Sequence, residues 1–117
     1  TRVTCQVRIM VASGIGMGPG KAALLKAIQA TQSINAAGKR FGMSYRRAWL
    51  LVEEMNRLFD SPLVIARRGG KGGGGAEVTP LGQRVVRDYD KLVRMLSGSA
   101  EFRSLSRRLA GRGSVKS

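Results

Sequence analysis

The sequence contains no histidine and a single cysteine, Cys5. Within one chain this excludes a disulfide framework, a Cys/His zinc site and a His-based nucleophilic triad. No metal or cofactor is expected, and an enzyme has the least support of any function class. Long apolar runs are missing too. The segment from Ile9 to Gly20 is apolar but broken by four glycines and a proline, so it suits neither a membrane span nor a signal peptide. The cytoplasm is the default compartment. Acidic residues are scarce: 7 Asp and Glu face 21 Lys and Arg, a net charge of +14. Split after Leu63, the halves carry +6 (9 minus 3) and +8 (12 minus 4), so the excess is spread along the fold rather than held in a tail. Such a surface implies a polyanionic partner.

A length of 117 residues with 43% hydrophobic content suits one small domain. The most informative stretch is residues 33 to 58, SINAAGKRFGMSYRRAWLLVEEMNRL. It reads as two helices joined by a tight turn. Ser33 caps the first, Ile34, Ala37 and Phe41 form its apolar stripe, and Gly42 ends it. Ser44 caps the second. With successive residues about 100° apart, Ala48, Val52, Met55 and Phe59 share its core face. Arg46, Arg47, Leu50, Glu53 and Arg57 fall opposite, with Lys39 and Arg40 just before the turn. That is a basic helix face suited to a major groove, although a plain helical hairpin with solvated arginines would share much of the pattern. Tyr45 and Trp49, one turn apart beside the core face, suit packing against a neighbouring element; Tyr45 also sits early enough to reach a base edge or phosphate.

Before this pair, Val3, Cys5, Val7, Ile9 and Val11 alternate with polar residues and predict a strand with one buried face. Cys5 then points inward as a small hydrophobe. GIGMGPGK, residues 14 to 21, fails as a phosphate loop because Ile15 and Ala22 stand where Walker A needs Gly and Ser or Thr. It reads instead as a hairpin or loop entering a helix with Pro19 in its first turn, and Leu24, Leu25 and Ile28 as core.

After the helix pair, LVIA at 63 to 66 and Ala76-Glu77-Val78 predict two strands around a glycine-rich tip. Arg67, Arg68 and Lys71 flank that tip and suit a phosphate backbone or minor groove; a surface loop is the simpler alternative. The glycine run also satisfies GxGxxG, but no helix opens behind it and the dinucleotide reading falls away. Thr79-Pro80 starts a long helix. Its apolar residues Leu81, Val85, Val86, Tyr89, Leu92, Val93 and Leu96 span an arc of about 140°, wider than one small core consumes. Part of that arc can serve a partner subunit, with Val85, Tyr89, Leu92 and Leu96 as candidate dimerisation residues; the first strand and helix are the alternative dimer surface. Residues 97–117 form a basic tail in which Phe102, Leu105 and Leu109 suit a short amphipathic helix.

Residues 20 to 56, GKAALLKAIQATQSINAAGKRFGMSYRRAWLLVEEMN, and 69 to 83, GGKGGGGAEVTPLGQ, closely resemble the N-terminal winged-helix domain of molybdate-responsive, ModE-type transcriptional regulators, relatives of LysR-type DNA-binding domains. The combination of SYxxAW, EEMN and the glycine-rich segment is specific, and the resemblance covers most of residues 2 to 96. It implies an α+β winged helix-turn-helix over residues 1–96, with a three-helix core, a β-hairpin wing, an N-terminal strand and a long C-terminal helix. It further implies a homodimer on an inverted-repeat operator in double-stranded DNA, with Ser44, Tyr45, Arg46 and Arg47 at the groove and Arg67 to Lys71 in the wing. The molybdate-sensing β-barrels of such regulators follow the winged helix, and this chain stops at Ser117 without them. No small-molecule effector is identifiable in this chain. Two other readings stand beside the sequence-specific regulator. One is a nonspecific architectural nucleic-acid binder, for which the charge suffices; the other is an interaction module of a larger regulator, using the broad face of the long helix.

Overall fold

The computed structural model describes residues 3–67 and 75–110. Among these, five helices and two small antiparallel sheets give a mixed α and β architecture. A hairpin of β1 (Ile9–Val11) and β2 (Gly14–Met17) leads into α1 (Pro19–Thr31), then α2 (Ile34–Lys39) and α3 (Tyr45–Leu58). A second hairpin, β3 (Val64–Arg67) and β4 (Gly75–Val78), precedes α4 (Pro80–Ser97) and α5 (Ala100–Ala110).

The core is built around α1. Pro19 opens it, where a missing N–H costs nothing, and Leu24, Leu25 and Ile28 are fully buried as the spacing predicts. Each such side chain contributes about 1.5–3 kcal/mol. Buried residues occur on more than one side of α1, which packs against α2, α3, α4 and β4. Met55 and Val52 of α3, Leu63, and Val64 of β3 close the same cluster.

Two apolar expectations are corrected. Phe41 is 47% exposed, because α2 stops at Lys39 and the chain turns through Gly42 at φ +70, carrying Phe41 off the stripe begun by Ile34 and Ala37. The N-terminal strand is also shorter than the alternation suggests. Val3, Cys5 and Val7 are half-buried against exposed Thr4, Gln6 and Arg8. A register shift between Ile9 and Met10 then breaks the pattern, and Ile9, Met10 and Val11 are all exposed.

The lysine of GIGMGPGK has a structural role. Lys21 is buried, donates to the Ile15 carbonyl and pairs with Glu54 at 3.3 Å, linking β2, α1 and α3. Thr79 caps α4 by accepting from the Gly82 N–H at 3.0 Å. Within α4, Val86 and Tyr89 are buried, and Leu81, Val85 and Val93 pack on the core from its edge. The helix then outruns its support: Met95 and Leu96 are exposed, and α5 packs on α4 with Leu105 and Leu109 facing solvent. Among the described residues, no helix is long and apolar enough to cross a membrane.

Candidate nucleic-acid interface

The sequence of α3 separates a core side from a basic side at its first turn. Ser44 adopts an extended backbone and its hydroxyl accepts from the Arg47 N–H at 3.1 Å, so the helix starts immediately after it. Ala48, Val52 and Met55 are buried behind. Gly38 lets α2 lie close: a Cβ there would stand 2.9 Å from the Ala48 Cβ. Ser44, Tyr45, Arg46, Arg47 and Leu50 are all exposed, as are Lys39 and Arg40 at the end of α2. Seven of the ten predicted DNA-facing residues thus lie on one helix-turn-helix segment.

Electrostatics favour this side. Glu54, one of two acidic residues on α3, is paired with Lys21. The other, Glu53, is exposed beyond the Arg46-Arg47 turn.

The β3–β4 hairpin stands beside α3 in the register Val64 to Val78, Ile65 to Glu77, Ala66 to Ala76 and Arg67 to Gly75. Between hairpin and helix runs an open groove lined by Tyr45, Trp49, Val52, Asn56, Ile65 and Ala66, among others. Tyr45 and Trp49 both remain exposed on it, and the indole Nε1–H donates to the Tyr45 hydroxyl at 2.6 Å. Arg67 is also exposed, but its guanidinium turns back into the chain, donating to Gln32 Oε1 at 3.0 Å and lying 3.6 Å from Glu77. The tip residues Arg68 and Lys71 lie outside the described residues, as do residues 111 to 117 of the basic tail.

Two further residues, outside the candidate site residues, fix this geometry. Asn56 accepts from the Leu63 and Val64 N–H groups and donates to the Val64 carbonyl, tying β3 to α3. Gln32, in a left-handed conformation after α1, accepts from the Ala76 N–H through its carbonyl and from Arg67 through its side chain. Periodicity marks neither residue, since an amide in a helical pattern looks the same whether it is solvated or bonded to the next strand.

The candidate dimerisation residues divide. Tyr89 is buried in its own chain, where its hydroxyl donates to the Val7 carbonyl at 2.6 Å. Burial raises its pKa above the ordinary tyrosine value, partly opposed by the charge of Arg8. Val85 packs against the core, Leu92 is half-buried and Leu96 is exposed. Among the described residues, no group of three or more His, Cys, Asp or Glu side chains converges as a metal site.

No protein-family model matches the chain. Individual proteins do. It is 44% identical over 77 residues to the DNA-binding transcriptional dual regulator ModE of Escherichia coli K12, covering 66% of this chain and 29% of that protein. It is 47% identical over 74 residues to the transcriptional regulator ModE of Yersinia pestis, covering 63% and 28%. The chain is a homologue of the ModE-type regulators. A molybdenum-pterin-binding protein, MopB of Rhodobacter capsulatus, matches at 44% over 81 residues, 69% of this chain and 30% of that protein. The chain thus spans less than a third of the length of these ModE and Mop relatives.

Proposed function

We propose that the chain is a winged helix-turn-helix that binds double-stranded DNA as a sequence-specific transcriptional regulator, with α3 as recognition helix and the β3–β4 hairpin as wing. The observation that carries this reading is the first turn of α3. A capped helix start presents exposed Arg46 and Arg47 beside Ser44 and Tyr45, while Ala48, Val52 and Met55 hold its back to the core. The Escherichia coli relative, a DNA-binding transcriptional dual regulator, supports it, and the +14 charge supplies the attraction to phosphate. Arginine at the groove reads guanine O6 and N7, and the flanking Lys39 and Arg40 contact the backbone. The homology supports a place in molybdate-responsive regulation.

A regulator of this kind acts as a homodimer on an inverted repeat, two recognition helices entering successive major grooves. The exposed apolar residues beyond the core, Leu96 with Met95 and half-buried Leu92, support a dimer surface on the distal half of α4. The cytoplasm is the compartment where such a protein meets its DNA. Titrating a fluorescent duplex at several salt concentrations tests the reading. If about six phosphates are neutralised, log affinity falls with log salt at a slope near −5; a flat response contradicts it.

A further inference from the structure

Tyr45 and Trp49 are an exposed aromatic pair one turn apart on α3, 53% and 36% accessible, joined by the 2.6 Å bond from the indole Nε1–H to the phenolic oxygen. Indole nitrogen is a donor only, whereas a phenol both donates and accepts. The bond therefore occupies the acceptor side of Tyr45 and leaves its O–H free to turn outward. Among the described residues, that O–H meets no acceptor within the chain. Accepting from Trp49 also polarises the phenol and makes it a stronger donor.

We infer that Trp49 is a positioning residue for DNA recognition: it holds Tyr45 as a hydrogen-bond donor, so that the hydroxyl meets an acceptor on the DNA. This rests on the proposed reading of α3, in which Tyr45 lies beside Arg46 and Arg47 at the groove. The matching chemistry is an acceptor atom, either a phosphate oxygen or a base-edge acceptor such as guanine O6 or N7, adenine N7 or thymine O4. The donor groups of adenine N6 and cytosine N4 are disfavoured opposite it. Trp49 also lines the open groove between α3 and the hairpin, together with Ile65.

The test uses the full chain and the variants Tyr45→Phe, Trp49→Phe and the double variant. Trp49 is the only tryptophan, so the free protein gives one indole N–H proton resonance. Tyr45→Phe is expected to shift it upfield; an unmoved resonance overturns the inference. On a duplex selected by the unmodified chain, Tyr45→Phe is expected to weaken binding about tenfold, as for loss of a hydrogen bond to a charged or strongly polar acceptor. Trp49→Phe should weaken it about threefold, and the double variant should be no weaker than Tyr45→Phe alone. A neutral Trp49→Phe, or full additivity of the two losses, overturns the inference while leaving the DNA-binding reading intact. Failure of the unmodified chain to bind any duplex overturns both. A Tyr45→Phe loss equal on all duplexes assigns the acceptor to phosphate, and a loss confined to one base pair assigns it to that base. Unchanged thermal melting of each variant excludes unfolding as the cause.

Discussion

The Asn56 side chain holds the backbone of Val64 from both sides, Nδ2 donating to its carbonyl at 2.9 Å and Oδ1 accepting from its N–H at 3.1 Å. The same oxygen accepts from the Leu63 N–H at 2.8 Å. The hairpin is thereby fixed to the helix that carries Arg46 and Arg47. Asn56→Ala leaves these backbone groups without partners in a half-buried site. We expect a loss of about 3 kcal/mol in urea unfolding, together with weaker DNA binding as the hairpin loosens. A variant as stable as the parent would show that water replaces the amide.

Ser44 offers a separation of stability from binding. Ser44→Ala removes the bond to the Arg47 N–H and should cost about 1 kcal/mol. Ser44→Asp keeps a capping acceptor and should keep the stability, but it sets a carboxylate on the basic face proposed to meet polyanionic DNA. Its affinity for DNA should fall well below that of the parent. Equal binding by the parent and Ser44→Asp would move the interface away from the start of α3.

Arg47 distinguishes base reading from backbone contact. If it reads a base, Arg47→Ala should cost about 1–3 kcal/mol in binding and relax the preference at one position of the site. A uniform loss over all sequences, with a shallower salt slope, would make it a phosphate contact.

Tyr89 makes an alkaline prediction. Burial raises its folded pKa above the unfolded value of about 10. The folded state therefore holds the phenolic proton more tightly. The stabilisation is complete below about pH 10 and is lost as pH rises through the folded value. Tyr89→Phe should lower stability at neutral pH by about 1 kcal/mol, through loss of the bond to Val7, and should show a smaller decline above pH 10. Parallel pH profiles in urea unfolding would contradict this.

The parts legible in the sequence are those set by local chemistry. Ser33, Ser44 and Thr79 each cap the helix that the pattern starts there, and Ala48, Val52 and Met55 keep the 3.6-residue period into the core. The illegible parts depend on contacts distant in sequence. Arg67 looks free for DNA until Gln32, 35 residues earlier, is brought beside it. Asn56 sits in a helical pattern where periodicity cannot tell a solvent amide from one that grips the next strand. Tyr89 fits an apolar stripe, and only the return of the N-terminal segment shows that its hydroxyl is taken by Val7. Phe41 continues a helical period after the helix itself has ended.

Selection from random duplexes by the purified chain at physiological salt, followed by sequencing of the bound fraction, asks whether α3 reads sequence in DNA. An inverted repeat with half-sites about one helical turn apart should be enriched. Retention of DNA without any enriched sequence would contradict that reading and mark the chain as a nonspecific binder acting through charge alone.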